Sequence, residues 1–447
     1  MEHNFFNLAR NKMFWILDAV KGGKIKKNLR DIEASFSLGS FDLLMDKNNP
    51  ALKNLLDLAV NETEFYKNRK TYTSLQDFPV VNKNVIKEHF EGLVTTSSKE
   101  KKVNKIFTSG STGVPFMIYQ NQEKKNRNTA DTIYFAKQAG FTIGDKLLYV
   151  RLWTKELRKK RIPALIQNIS PINIEDLEGE KIQHLLTKLQ KNKSPKGWLG
   201  YPSGLEKICD YLDAINSKPI HCNIKSIIGM SENLSDDVRS RMWYYFDTPM
   251  VSRYSNFENG IIAQQTASSN YFVINWASYI LEILDFNSDR PVKHGELGRI
   301  VITDLYNHAT PMIRYDTGDV GAIAIDPDQS FPVLKTVEGR KSDILLDTMG
   351  SMISPFKFMS IIPKYPEVKQ IQFLQVDNAT YTIKINMDDP FNREEELLSL
   401  FKSYVGQDAK VKMEYVNEIP LLNSKKRKIS RNLLTEKNIS REKSLSV

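Results

Sequence analysis

The chain is poor in cysteine: Cys209 and Cys222 are the only two in 447 residues. Two thiols cannot build a disulfide framework, and no CxxC pair offers a zinc site. A reducing, cytoplasmic setting is the expectation. Long apolar runs are absent as well, and none approaches the roughly 20 residues of a membrane span. A secretory leader is not expected, because Asn7, Arg10, Asn11 and Lys12 interrupt the first apolar stretch. No internal repeat and no long low-complexity tract occurs. No Gly-Lys-Ser/Thr run follows a glycine-rich loop, which excludes a Walker A site. A basic face with interleaved aromatics is also missing, so nucleic acid is not an expected partner.

What is present suits a large packed protein. Hydrophobic residues make up 41% and aromatics 10%, and this length makes two or three domains the expectation. The formal charge is +10 and the pI about 9.2. That excess speeds capture of anions such as nucleotides, coenzyme A, acidic glycans or a membrane surface, without choosing among them.

The first residues read as a partly one-sided apolar helix: Phe5, Phe6, Leu8, Met13, Phe14, Ile16, Leu17 and Val20. Lys21, Lys24, Lys26, Lys27 and Arg30 follow. An apolar face beside a basic cluster fits peripheral contact with an anionic membrane. The commoner arrangement, and the one expected here, is a helix packed on its own domain with a solvated charge run behind it.

Periodicity places helices at 51–66, 126–139, 182–190 and 203–215, and strands at 146–152, 226–230 and 250–253. That alternation implies an α/β core with parallel strands. After Asn270 the pattern becomes apolar strands separated by turns (271–276, 280–286, 298–303, 320–325), a mostly antiparallel, barrel-like section. After Gly339 come strands at 371–376, 381–385 and 410–416 and a helix at 393–404, a small α+β unit. The fold class expected is therefore α/β. A large N-terminal domain over 1–339, its helical segment 1–75 included, precedes a small C-terminal domain over 340–447.

Five segments carry chemistry. Thr108-Ser109-Gly110-Ser111-Thr112-Gly113 lies between two apolar runs and reads as a strand–loop–strand hairpin. Its glycines allow close backbone approach, and successive N–H groups with the hydroxyls make an anion nest suited to polyphosphate. An ordinary surface hairpin has the same composition. Tyr254-Ser255-Asn256-Phe257-Glu258 sets a ring and a carboxylate at a strand end, suited to a stacked base and a magnesium ion. Tyr315-Asp316-Thr317-Gly318-Asp319 reads as a turn whose exposed Asp319 can accept from two ribose hydroxyls. Gly339-Arg340 offers a guanidinium for phosphate or ribose. Ser424-Lys425-Lys426-Arg427-Lys428 closes the series. Each is weak alone, and their order is informative.

That order resembles the adenylate-forming ligases: acyl-CoA synthetases, luciferases and nonribosomal adenylation domains. The likeness spans nearly the whole chain. Asp77–Lys83, Leu199-Gly200-Tyr201-Pro202-Ser203 and Thr310–Tyr315 are similar to the phenylacetate–CoA ligase branch. The early Phe-Trp-Ile-Leu-Asp stretch and Lys-Gly-Gly-Lys are most like the CapK-type proteins of that branch. The resemblance implies ATP and Mg2+ as cofactors, with CoA as one candidate acceptor. It implies an acyl-adenylate made from a small carboxylic acid and passed to a thiol or amine, a glycan precursor included. It makes Ser109 to Gly113 the phosphate loop with Thr108, and Glu258 the magnesium ligand. Tyr254, Ser255, Asp319, Arg340, Ser231 and Glu232 become nucleotide contacts. Ser342 and Asp343 become the hinge, and Lys426 the catalytic lysine, with Lys425 as its substitute. Four positions depart from the pattern: Ser255 replaces a glycine, Phe116 stands where many relatives carry lysine, Ser342 replaces the hinge acid, and Lys425 replaces a glycine. Two other functions remain open at this point: an adenylyltransferase that leaves AMP on a stable acceptor, and a non-catalytic nucleotide-binding scaffold.

Overall fold

The computed structural model describes residues 2–99, 102–108, 116–153, 161–326, 331–340, 343–353, 357–358, 361–388, 391–420 and 428–435. Three helices open the chain: α1 (Glu2–Val20), α2 (Lys24–Phe36) and α3 (Phe41–Glu62). A short helix, α4 (Lys83–Glu88), follows; the Asn82 side chain caps it by accepting from the backbone N–H groups of Asn84 and Val85. The expected hairpin is there. Strands β1 (Asn104–Thr108) and β2 (Phe116–Gln120) pair antiparallel, with Thr108 opposite Phe116.

The parallel strands are β3 (Lys146–Arg151), β4 (Ile169–Asn173), β5 (Lys196–Gly200), β6 (Ile224–Met230) and β7 (Met250–Asn256). The antiparallel strands are β8 (Gly260–Thr266), β9 (Ser269–Ile274), β10 (Tyr279–Leu284), β11 (Gly298–Asp304), β12 (Tyr315–Ala324) and β13 (Val333–Arg340). They join in one eleven-stranded sheet, in the order β10-β11-β12-β13-β9-β8-β7-β6-β5-β3-β4. The antiparallel section read from the sequence is thus continuous with the parallel one, because β7 turns directly into β8 and pairs with it.

Among the described residues, the two largest apolar clusters on this sheet lie on its parallel and antiparallel halves. Trp198, Ile227, Leu148 and Val150 pack against the helices Gly179–Lys191, Pro202–Ala214 and Asp236–Phe246. On the antiparallel half, α3 and the hairpin residues Phe116 and Ile118 pack against Ile300, Ile302 and Tyr315. Gly200 is required by close packing, since a Cβ there would lie 2.7 Å from the Val150 backbone oxygen. Both cysteines are buried free thiols.

Beyond residue 343 lie the pair β14 (Leu345–Leu346) and β15 (Met352–Ile353), then β16 (Gln370–Asp377), β17 (Thr380–Asn386), β18 (Lys410–Tyr415) and β19 (Ser430–Asn432). The last four form a separate sheet, β18-β17-β16-β19. Phe358, Phe373, Tyr381 and Phe401 of the helix Glu394–Val405 fill a separate core beneath it.

Two expectations are corrected. Tyr315–Asp319 is not a turn but the first half of β12, where Gly318 at φ 79° sits in the strand. Helix α1 does pack on the protein, but through polar side chains together with the half-buried Phe14. Asn7 donates to Asp145 at 3.2 Å, and Asn11 to the Ile143 carbonyl at 3.0 Å. Most of its large apolar residues remain exposed.

Candidate active site

Strand β7 carries Tyr254, Ser255 and Asn256, and the chain then reverses through Phe257-Glu258-Asn259 into β8. Gly260 makes the reversal possible. Its φ is 104°, and a Cβ there would come 2.8 Å from the Asn128 amide oxygen. The reversal buries Glu258, whose side chain is only 3% exposed. Its Oε1 accepts from the Tyr315 hydroxyl at 2.8 Å and lies 3.1 Å from Lys83 Nζ.

Lys83 reaches that carboxylate because the preceding residues lie along β12. The Val81 N–H donates to the Arg314 carbonyl, and the Asp316 N–H to the Val81 carbonyl. The hairpin joins the same cluster: the Phe116 and Tyr315 rings lie parallel, 6.4 Å apart, and Lys83 Nζ sits 5.9 Å from the Phe116 centroid. The Gln120 amide donates to the Glu258 carbonyl at 2.8 Å.

On the next strands, the Tyr254 hydroxyl donates to Asp319 Oδ2 at 2.8 Å. Asp319 lies directly across the β12–β13 ladder from Arg340. Asp319 is half-buried rather than exposed, and its carboxyl lies above the ordinary carboxylate range. Desolvation raises it more than Arg340 and the Tyr254 hydrogen bond lower it. Burial first, and the neighbouring carboxylates second, hold the Tyr254 and Tyr315 phenols well above their usual value. Both are therefore hydroxyl donors at neutral pH.

A second cluster occupies the C-terminal ends of the parallel strands. Val150 pairs with Gly200, Gly200 with Gly229, and Met230 with Arg253. Arg151 and Arg253 therefore stand at the two ends of one cross-strand row, on the same face. Three strand spacings of about 4.8 Å separate their backbones. Arg151 is buried, its guanidinium 5.7, 5.5 and 5.8 Å from the Tyr149, Trp153 and Phe257 rings, and its Nε has no hydrogen-bond partner. Arg253 is also buried. Its Nε donates to Gln264 at 2.8 Å, its Nη2 has no partner, and burial pushes it down to about 10. Neither has a carboxylate at ion-pair distance among the described residues. From β3 the chain continues to β4, and from β5 it leaves the other way, to β6. Open α/β sheets bind ligands at such a reversal.

The structure thus brings together Tyr254, Glu258, Asp319 and Arg340, with Ser255 next to Tyr254 on β7 and Thr108 paired to Phe116 at the hairpin end. Ser231 follows β6 in a left-handed conformation, φ 64°. Next to it, Glu232 accepts from the Ser203 N–H at 3.0 Å, at the start of the helix Pro202–Ala214. Asp343 pairs with Lys428 at 2.6 Å. Ser109 to Gly113, Ser342, Lys425 and Lys426 lie outside the described residues. Sequence reasoning missed Lys83, Arg151 and Arg253 as site residues. The signal for Lys83 was its place after the capping Asn82; the arginines gave none, because only strand register puts them in one row.

Comparison with known proteins agrees with this architecture. The solved 2-hydroxyisobutyryl-CoA ligase in its postadenylation state, bound to R3-HIB-AMP, superposes with a TM-score of 0.65 over 90% of this chain and 93% of that one, at 16% identity. An open form of the same ligase with 2-HIB-AMP and CoA gives 0.60, over 85% and 89%, at 18% identity. The fold is that of the AMP-forming acyl-CoA ligases of the adenylate-forming superfamily. Residues 345–432 match the model of the CapK C-terminal domain. The chain is 24% identical over 368 residues to Protein CapK of Staphylococcus aureus, an alignment covering 78% of each. It is also 24% identical over 227 residues to phenylacetate-coenzyme A ligase of Aromatoleum evansii, covering 47% of this chain and 51% of that one. The resemblance read from the motifs, to phenylacetate–CoA ligase-like and CapK-type proteins, is borne out.

Proposed function

We propose that this chain is an ATP-dependent carboxylic-acid ligase that makes an acyl-adenylate and passes the acyl group to a thiol or amine. The observation that carries the reading is the convergence of Tyr254–Glu258, Tyr315–Asp319 and Arg340 in one cluster, in a fold shared with such ligases. Adenylation brings two anions together, so catalysis is mostly alignment and charge neutralisation. In this reading Asp319 accepts from the ribose hydroxyls and Arg340 supports the same end. The loop Ser109–Gly113, entered from Thr108, cradles the outer phosphates, and Ser231 and Glu232 border the base with Tyr254 and Ser255. Lys83, beside Phe116, provides a cation where many relatives carry lysine on the strand after the loop.

Glu258 would be the carboxylate that holds a magnesium ion, its Oε1 being the oxygen that already meets Tyr315 and Lys83. Among the described residues no group of three acid, His or Cys ligands occurs. A magnesium ion held at Glu258 would supply charge neutralisation for the departing pyrophosphate. Lys426 bridges the incoming carboxylate and the α-phosphate, with Lys425 its substitute. Residues 340–447 act as a mobile small domain hinged at Ser342 and Asp343, and coenzyme A is one acceptor.

The arginine pair refines the substrate. Buried charges without a counter-ion are unfavourable, so an anionic ligand at Arg151 and Arg253 is the natural complement. The acid therefore carries a second anionic group, received at the ends of β3 and β7. Pyrophosphate release should be measured over acids of equal length ending in methyl, carboxylate or phosphate. An anionic end should raise kcat/KM at least about tenfold, a difference of roughly 1.4 kcal/mol, and Arg151→Met should erase that preference. Release of ADP and phosphate instead would sink the ligase reading, whereas equal use of methyl-ended acids would sink only the second anion.

A further inference from the structure

Helix α1 is amphipathic in the inverted sense. At about 100° per residue, positions 7, 11, 14 and 18 fall within an arc of roughly 60°. That arc faces the protein. Asn7 and Asn11 bond to Asp145 and the Ile143 carbonyl. The Asp18 carboxylate accepts from the backbone N–H groups of Ile25 and Lys26 at 3.1 and 2.9 Å, at the start of α2. The opposite arc carries Phe5, Phe6, Met13, Ile16, Leu17 and Val20, all exposed, with Phe5 at 67%, Ile16 at 62% and Val20 at 80%. A folded monomer rarely leaves so many large apolar side chains contiguous on one helix face without a use for them.

Charge selects the occupant. Lys21, Lys24, Lys26, Lys27 and Arg30 are all exposed and follow directly on the apolar arc. The acids of the same stretch are engaged elsewhere: Asp18 caps α2, Asp31 pairs with Lys47 and Arg127, and Glu33 pairs with Lys137. A second copy docking through this face would crowd two such cationic clusters together. An anionic bilayer surface complements both the apolar arc and the cations.

We propose that α1 lies in the interface of an anionic lipid bilayer, its apolar arc among the acyl chains and the cations of residues 21–30 at the headgroups. Among the described residues no helix is long and apolar enough to cross a membrane, so the contact is peripheral. It also leaves the candidate active site open. The anchor points Ile143 and Asp145 precede β3, whereas Arg151 and Arg253 stand at the far ends of the strands, about 20 Å away along a six-residue strand.

Flotation of the full chain with vesicles tests this. Vesicles of 30% phosphatidylglycerol in phosphatidylcholine should carry the chain at 0.1 M salt, and pure phosphatidylcholine vesicles should not. Phe6→Ser/Ile16→Ser/Leu17→Ser should lower the bound fraction at least tenfold with unchanged melting temperature and pyrophosphate release, since these side chains lie on the exposed face of α1. Lys24→Gln/Lys26→Gln/Lys27→Gln should weaken binding on the order of a hundredfold, about fivefold per lysine. It should also flatten the dependence on salt. Wild-type chain that stays off anionic vesicles overturns the proposal, as does equal flotation of the serine variant. A dimer in light scattering that the serine variant alone disrupts, with no flotation, assigns the face to a second copy instead.

Discussion

Replacing Asp319 by Asn should change stability and nucleotide affinity in opposite directions. The side chain keeps its shape, and its amide oxygen can still accept from the Tyr254 hydroxyl, which lies 2.8 Å from the carboxylate. The charge is lost. Because desolvation raises the Asp319 carboxyl, its ionised form is disfavoured in the folded protein. The stability that this group contributes is fully present below its unfolded value, near pH 3.9. It is lost as pH rises through the raised folded-state value. At pH 7 the free protein therefore carries an unfavourable charge, and Asp319→Asn should raise its melting temperature. The difference should shrink as pH falls and vanish below about pH 4. ATP should respond the other way. Charge-assisted hydrogen bonds contribute roughly 1.5–3 kcal/mol each and neutral ones about 0.5–1.5. Two ribose bonds that lose their charge should thus cost about 2 kcal/mol, roughly thirtyfold in Kd. Scanning calorimetry of free protein across pH, and titration calorimetry with ATP, measure the two effects separately. An unchanged Kd removes Asp319 from the nucleotide site. A lower melting temperature at pH 7 refutes the claim that its burial as a carboxylate is unfavourable.

The remaining predictions concern lysines. Lys83→Met leaves the buried Glu258 carboxylate, among the described residues, with only the Tyr315 hydroxyl as donor. Because Lys83 is 34% exposed, the loss should fall below that of a fully buried pair, at about 1–3 kcal/mol, read as a lower urea midpoint with unchanged slope. Glu258→Gln in the same background should recover most of that loss, and a strictly additive double variant would show that the two do not interact. Lys426→Ala should slow adenylation by several orders of magnitude with ATP affinity nearly intact, because a contact made only in the transition state lowers turnover rather than ground-state binding. Lys425→Ala should be mild, and acyl transfer from preformed acyl-AMP should survive in both. The reverse pattern shifts the register by one residue, and two unimpaired variants remove the segment from the first half-reaction.

The parts of this molecule legible in the sequence are those with a local physical cause. The hairpin at Thr108 and Phe116, the helix after Tyr201-Pro202 and the strands at Lys146 and Ser226 follow from periodicity and turn residues. Order along the chain also carried the motifs, since Glu258, Asp319 and Arg340 are separated by long intervals yet meet in one cluster. What stayed hidden depends on register between distant segments. Tyr315-Asp316-Thr317-Gly318-Asp319 has the composition of a turn. Its strand conformation comes from pairing with β11 and β13, which no local propensity encodes. β13 itself went unread, so nothing placed Arg340 opposite Asp319. The same holds for Arg151 and Arg253: one ends β3, the other lies in β7, and only the ladder through β5 and β6 sets them in one row. Helix α1 failed for a different reason. Its apolar residues were expected to face the core because burial is the usual destination of an apolar stripe. The spacing of Asn7, Asn11 and Asp18 holds the contrary signal, a polar stripe at helical period with a partner for each member. Where a helix has two faces capable of docking, hydrophobicity alone does not decide which one packs. Specific partners for the polar side chains do, and the apolar face then becomes the surface that needs an explanation.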